Sequence, residues 1–114
     1  MVTVPLYEAK AELLRTLGHP ARIRVLELLS ERDHAVHELL TELGLEPSNL
    51  SQHLAVLRRA GLVHQSRSGG EAGYALVIPE TRELLLTARR VLRNVLTDRD
   101  ALNSELGPMD EASR

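Results

Sequence analysis

The chain has 114 residues, a formal net charge of −2, no cysteine and almost no aromatic residues. This length fits one small domain with a single core, and the lack of aromatic platforms argues against sequence-independent binding of single-stranded nucleic acid. Without cysteine, a disulfide, a thiolate metal site and a thiol redox switch are all excluded. The sequence shows no signal peptide and no apolar run of membrane-spanning length, so we expect a cytoplasmic protein with no membrane partner.

Apolar residues at helical spacing predict two helices near the N-terminus. Residues 1–5 are expected to form a loose end, and the first helix runs from Leu6 to Leu17, where Gly18 closes it. Pro20 suits a first helical position, so a second helix is predicted from there to about Ser30. A polar turn with the sequence ERDH follows.

Two further helices and a hairpin are predicted next. The third helix runs from Ala35 to Leu43 and stops at Gly44, and the fourth runs from Pro47 to its end at Gly61. The runs LVHQSR and YALVI are rich in strand-forming residues and are separated by SGGEAG. This pattern predicts a hairpin with a flexible, glycine-rich tip.

A long last helix is predicted after Pro79, roughly from Glu80 to Leu102, with a frayed tail over residues 103–114. One domain would therefore span residues 6–102 and be mainly α, with about five helices and a small two-stranded hairpin. The apolar stripe of the last helix is wider than one small domain needs. Its members are Leu84, Leu85, Ala88, Val91, Leu92, Val95 and Leu96.

The fourth helix, PSNLSQHLAVLRRAGLV, has two contrasting faces. At about 100° per residue, Leu50, Leu54, Leu57 and Gly61 share one arc. Short polar side chains near the helix start suit base edges or phosphates, and arginines near its end suit phosphates or guanine, which favours a helix in a DNA major groove. The alternative is an ordinary solvated face. The opposite arc holds Ser48, Ser51, Gln52, Ala55, Arg58 and Arg59.

The neighbouring elements favour the DNA-binding interpretation. A short helix, a turn and a second helix make a helix-turn-helix, whose second helix reads the major groove. The hairpin carrying Arg67 would be a wing that touches phosphate or the adjacent minor groove. The predicted fold is thus a winged helix-turn-helix. Its predicted DNA-binding residues are Ser48, Asn49, Ser51, Gln52, Arg58, Arg59 and Arg67.

Three segments of the chain resemble a known family. LGHPARIRVLELL, then HELLTELGLEPSNLSQHLAVLRRAGLV, then the hairpin and the long last helix are similar to the ArsR/SmtB family of bacterial winged-helix repressors. The resemblance implies a homodimer built by the first and last helices, with one recognition helix per subunit on a pseudo-palindromic, double-stranded operator. The wide stripe on the last helix fits such a surface. The residues expected at the dimer interface are Leu6, Leu13, Leu84, Ala88, Val91, Leu92 and Val95.

Many members of that family respond to a metal, so the histidines are candidate ligands. The family's Cys-x-Cys site is absent here, since Ala35 and His37 occupy its two positions. His34 and His37 would share one helical face if the third helix begins by His34, and imidazole pairs suit nickel or zinc. Two ligands rarely hold a metal tightly, so Asp33, Glu38 or a group of the partner subunit would have to join. The alternative is two exposed polar residues at a helix start.

The remaining histidines have simpler interpretations. The last helix holds no histidine, and Asp98, Asp100 and Glu105 alone would bind only hard cations weakly, so a second family metal site on this helix is expected to be missing. His53 is expected to pack or to form a local hydrogen bond, His19 to cap the second helix, and His64 to lie on a strand surface.

The first functional hypothesis is a dimeric DNA-binding regulator, either modulated by nickel or zinc or independent of metal. A winged-helix module that binds a protein partner and has little affinity for DNA is the alternative. Its support is the modest local charge, because three arginines oppose two glutamates between Gly44 and Ile78. An enzyme is not expected, since the sequence offers no nucleophile with a matching base and no phosphate-binding glycine loop.

Overall fold

The computed structural model describes residues 3–97, apart from the side chain of Ser68. In this part the element order is α1 (Leu6–Leu17), α2 (Pro20–Glu31), β1 (His34–Ala35), α3 (Val36–Leu43), α4 (Pro47–Arg59), β2 (Val63–Ser68), β3 (Glu71–Leu76) and α5 (Glu80–Val95). The chain divides into two compact units, Met1–Arg82 and Glu83–Arg114. The predicted end of the last helix at Leu102, the tail over residues 103–114 and the acidic residues Asp98, Asp100 and Glu105 lie outside the described residues.

The helix ends follow the local signals in the sequence. Gly18 ends α1 and donates its backbone N–H to the carbonyl of Arg15 at 3.1 Å. Pro20 stands at the first helical position of α2, and Gly44 ends α3 with a left-handed φ of 64°. Glycine adopts this conformation without the steric penalty of a Cβ, which is why the helix stops there.

The core of the first unit is aliphatic and is built around α2. This helix contacts α3, α4 and β3, and its residues Val25 and Leu26 are fully buried. Leu39 of α3 and Leu50 and Leu57 of α4 complete this centre at 0–1% exposure. Each such side chain contributes about 1.5–3 kcal/mol of transfer free energy. The three leucines of the predicted buried arc of the fourth helix are therefore confirmed, whereas Gly61, its fourth member, lies after α4 and is exposed.

The wing contains one strand more than expected. The antiparallel sheet has the order β1-β3-β2, so β3 is central and the two-residue β1 lies on one edge. His34 pairs with Tyr74, and Ala35 pairs with Gly73. The predicted two-stranded hairpin is present as β2 and β3, whereas β1 was missed, because so short a strand forms through pairing with β3 and leaves no pattern of its own in the sequence.

The hairpin tip is also tighter than expected. Strands β2 and β3 pair from Val63 with Leu76 to Ser68 with Glu71, which leaves only two residues in the turn. These are Gly69 and Gly70, with φ values of 61° and 85°. Positive φ at both positions is typical of the turn that matches the twist of a hairpin. The segment EAG belongs to β3 and not to the tip.

Candidate nucleic-acid interface

The polar face of α4 is open to solvent along its whole length. Leu50, Leu54 and Leu57 hold the opposite face in the core, and this fixes the direction in which the polar side chains project. Within residues 3–97, six of these side chains have no hydrogen bond or ion pair, so a ligand would not have to displace a protein partner. They are the exposed side chains of Ser48, Asn49, Ser51, Gln52, Arg58 and Arg59.

The start of α4 presents unpaired backbone donors as well. Glu46 is the N-cap residue and forms no side-chain cap, and Pro47 occupies the first helical position. The first intrahelical N–H bond is donated by Leu50 to the carbonyl of Glu46 at 3.1 Å. The N–H groups of Ser48 and Asn49 lie before this first bond and therefore have no acceptor within the helix. Such N–H groups are suited to binding phosphate oxygens.

The length of α4 exceeds the width of a DNA major groove. The helix has 13 residues and is therefore about 20 Å long at 1.5 Å per residue. Ser48 and Arg58 lie about 15 Å apart along the axis, whereas the major groove is about 12 Å wide.

Arg67 has a different setting from the arginines of α4. Its side chain is exposed, and its Nη1 donates to the carbonyl of Gly70 at 2.7 Å across the two-glycine turn. This bond holds the guanidinium at the tip of the wing and leaves its other N–H groups for a ligand. Sequence reasoning predicted the position of Arg67 on the wing but not this bond.

The histidine pair considered as a metal site is not brought together on one helical face. His34 lies in β1, is only 3% exposed, and its Nδ1 is 2.9 Å from the carbonyl oxygen of Arg32. His37 lies in α3, is exposed, and its Nε2 is 2.7 Å from Oε2 of Glu71. The expectation of a shared helical face was wrong, and so was the alternative that both residues are exposed.

Glu38, named as a third ligand of that pair, is already bound to other groups. Its carboxylate accepts from both terminal nitrogens of Arg32 at 3.2 and 2.8 Å and from the backbone N–H of Ala35 at 2.9 Å. These bonds lower the pKa of Glu38 to about 2. They fix the start of α3, since Ala35 is its N-cap residue. Within residues 3–97, no three His, Asp or Glu side chains are grouped closely enough to hold a metal ion.

His19, at the start of α2, and His53, on α4, form a cluster with Arg22. Nδ1 of His19 accepts the backbone N–H of Ala21 at 3.0 Å, which confirms that His19 caps α2. The rings of His19 and His53 contact each other with centroids 4.3 Å apart. Nη1 of Arg22 lies 3.3 Å from Nδ1 of His53. The expected packing of His53 is confirmed by its contact with His19, whereas its hydrogen bond is not local, because its partner Arg22 is 31 residues away in the sequence and was missed.

Comparison with known proteins identifies the family. Residues 19–65 match the family described as "Bacterial regulatory protein, arsR family". The HTH-type transcriptional regulator Rv0081 of Mycobacterium tuberculosis (strain ATCC 25618 / H37Rv) is 55% identical over 107 residues, which cover 93% of this chain and 94% of that protein. The chain belongs to the ArsR family of bacterial regulatory proteins.

Solved structures agree with the fold of this ArsR-family regulator. The crystal structure of Rv0081 from M. tuberculosis superposes with a TM-score of 0.75 at 57% identity and covers 85% of this chain and 98% of that chain. The transcriptional repressor BigR from Xylella fastidiosa gives a TM-score of 0.65 at 32% identity, with 75% of this chain and 84% of that chain covered. The predicted winged helix-turn-helix fold is confirmed, as is the prediction of a transcriptional regulator that is not an enzyme.

Two helices of this ArsR-family regulator expose apolar side chains. In α1 only Leu17 is buried, and Leu6 is 70% exposed. In α5, Val91 is 55% exposed and Val95 is 64% exposed. Leu13, Leu84, Ala88 and Leu92 are exposed as well, so every residue expected at a dimer interface is accessible in the single chain. Within residues 3–97, no helix combines the length and apolar character that crossing a bilayer requires.

Proposed function

We propose that this ArsR-family regulator binds double-stranded operator DNA as a homodimer and reads its sequence with α4. The observation that supports the proposal is the row of six polar side chains on α4 that have no partner among the described residues, opposite a buried apolar face. A helix held rigidly by its inner face and free on its outer face is what direct readout in the major groove requires.

The positions along α4 suggest a division of roles. Ser48 and Asn49, beside the unpaired N–H groups of the first turn, would hold a phosphate. Ser51 and Gln52 would reach base edges, with a bidentate contact between Gln52 and adenine. Arg58 and Arg59, in the last turn, would hold phosphates on the far side of the groove, and Arg67 of the wing would touch phosphate or the minor groove.

Dimerisation would follow from the exposed apolar faces. Leu6 and Leu13 on α1, and separately Leu84, Val91 and Val95 on α5, expose more apolar surface than scattered single residues would. A second copy is the occupant that the family suggests for both faces. An isologous dimer presents two copies of α4 related by a two-fold axis, so the operator would be pseudo-palindromic.

We favour a regulator that does not use nickel or zinc at His34 and His37. The buried ring of His34 and the Arg32–Glu38 pair leave His37 as the one accessible histidine of the predicted set, with the exposed Asp33 beside it in the sequence. A single imidazole does not hold these metals tightly.

The proposal is tested by fluorescence anisotropy on a labelled duplex selected by the protein from a randomised pool, with a shuffled duplex at the same salt as control. Tight binding to the selected duplex alone is expected. Gln52→Ala should weaken it by about 1–3 kcal/mol, with the loss confined to one base position per half-site. Equal loss on both duplexes would contradict the role of Gln52. A dimer that binds neither duplex would instead favour the protein-partner module.

A further inference from the structure

Arg22 joins three helices of the first unit through two bonds of its guanidinium. Its Nε donates to the backbone carbonyl of Thr16 at 2.6 Å, near the C-terminal end of α1. Its Nη1 lies 3.3 Å from Nδ1 of His53 on α4. Arg22 itself belongs to α2 and is half-buried. One side chain thus connects the end of α1 with the middle of α4.

The chemistry of these bonds fixes the tautomer of His53. Arginine is always a donor, so Nδ1 of His53 must accept and cannot carry a proton. Its ring is therefore neutral, with the proton on Nε2. Nδ1 of the neighbouring His19 accepts the backbone N–H of Ala21 at 3.0 Å. The two rings contact each other with centroids 4.3 Å apart and planes tilted by 45°.

We propose that Arg22 is a positioning residue that locks the recognition helix α4 to the end of α1, and that protonation of His53 releases this lock. A proton on Nδ1 of His53 would point at the N–H of Arg22, so an attraction would become a repulsion between two cations. The DNA face, which includes Gln52 next to His53, would then be held by the buried leucines of α4 alone, without the connection to the end of α1. The inference rests on the proposed function for its effect on DNA binding.

The surroundings of His53 support this direction. Burial lowers its pKa, and the nearby His19 and Arg22 lower it further. Within residues 3–97, the charged or titratable groups that act on His53 are His19, the N-cap residue of α2, and Arg22 in the first turn of that helix. Because the pKa is lowered, His53 is neutral at pH 7 and the lock is closed. Acid opens it below the ordinary histidine pKa of 6.5.

The predicted change of DNA affinity with falling pH is opposite to the usual effect of acid. Protonating exposed histidines adds positive charge and ordinarily strengthens binding to a polyanion. Here the affinity for the selected duplex should fall about tenfold or more between about pH 7.5 and about pH 5. His53→Asn keeps an acceptor in place of Nδ1 but cannot be protonated, so its affinity should not fall with acid. His64→Asn, at an exposed position of β2, is the matched histidine control and should behave as wild type.

Arg22→Met removes the donors but keeps the length of the side chain, and it should weaken selective binding about tenfold at pH 7.5. Arg24→Met, on the same helix and ion-paired with Glu27 at 3.2 Å, is its control and should bind as wild type. A His53→Asn protein that loses affinity with acid as wild type does would overturn the inference. Arg22→Met with wild-type affinity would also overturn it.

A measurement without DNA separates this inference from the proposed function. Nitrogen-15 NMR of the histidine rings in the wild-type protein should show His53 as the Nε2–H tautomer at neutral pH, titrating below 6.5. Arg22→Met should raise that titration midpoint because one cation is removed. A proton on Nδ1 at neutral pH, or a midpoint at or above 6.5, refutes the lock. If no duplex is selected, the proposed function fails and the NMR result still decides the lock.

Discussion

Gly73 of β3 lies directly against the backbone of His34 in β1. A Cβ on Gly73 would stand 2.5 Å from the carbonyl oxygen of His34 and 3.1 Å from Cα of Ala35. Both neighbours are backbone atoms, so they cannot give way by changing rotamer. The close approach of the two strands therefore requires glycine at this position.

Replacing Gly73 with alanine should push β1 away from β3 and lower the free energy of unfolding by about 1–3 kcal/mol. Thermal unfolding at a fixed protein concentration measures the loss, and amide exchange should show reduced protection in β1. Gly69→Ala is the control. The added Cβ would meet nothing within 4 Å, so this substitution lowers the free energy of unfolding only through the positive φ of 61°. Amide exchange in β1 should therefore stay as in the wild-type protein. If the amides of β1 exchanged as slowly in Gly73→Ala as in the wild-type protein, the two strands would tolerate the methyl group.

The strand β1 also shows where sequence reasoning stops. Helix starts and ends were predictable because Pro20 and Gly44 act within their own turns. The polar face of α4 was predictable because the leucines repeat at helical spacing. Strand β1 depends on pairing with Tyr74 and Gly73, which are distant in the sequence. His34 was therefore predicted to lie in a polar turn, or at the start of α3 if that helix began earlier, and neither its strand nor its burial was foreseen.

The same limit applies to side-chain partners. Arg22 and His53 are 31 residues apart, and no local pattern links them. The bond from Arg67 to the carbonyl of Gly70 depends on a two-residue turn, whereas the sequence suggested a longer tip. Residue types on a face follow from periodicity, but contacts between elements follow from packing that one sequence does not reveal.

Glu38 should make the protein sensitive to acid. Its pKa falls from 4.5 in the unfolded chain to about 2 in the folded chain because Arg32 and the N–H of Ala35 bind the carboxylate. The stabilisation is complete above pH 4.5 and is lost as the pH falls from 4.5 through about 2. Glu38→Gln should flatten the dependence of Tm on pH in this range, whereas Glu42→Gln, on the same helix, should change it less. Parallel curves for wild type and Glu38→Gln would contradict this assignment.

Nickel and zinc are expected to leave DNA binding unchanged. His37 is the accessible histidine of the pair and is bonded to Glu71, while the ring of His34 is buried. Calorimetric titration of the apoprotein with nickel should give no binding that His37→Ala removes, and anisotropy on the selected duplex should not respond to chelator. A tight site that disappears in His37→Ala would show that the dimer assembles ligands that one chain does not group.

The α5 stripe should determine the oligomeric state. Val91 is 55% exposed in the single chain, and an aspartate there would have to be buried unpaired in a dimer, which is strongly unfavourable. Val91→Asp should elute as a monomer in size-exclusion chromatography with light scattering. Asn94→Asp adds the same charge at an exposed position outside the stripe and should remain dimeric. A dimeric Val91→Asp protein would move the interface away from α5.

The arginines of α4 and the wing should contribute to the salt dependence of binding, whereas Gln52 should not. Each phosphate contact contributes about 0.9 to the slope of log K against log salt. A dimer carries every side chain twice, so Arg58→Ala or Arg67→Ala should each lower the slope by about two and weaken selected and shuffled duplexes alike. Gln52→Ala should keep the full slope and lose affinity for the selected duplex alone. Arg24→Ala removes the same charge from α2, where Arg24 is paired with Glu27, and should keep the slope too. A full slope in Arg58→Ala would mean that the C-terminal end of α4 does not reach the phosphates and that α4 lies in the groove at a different angle.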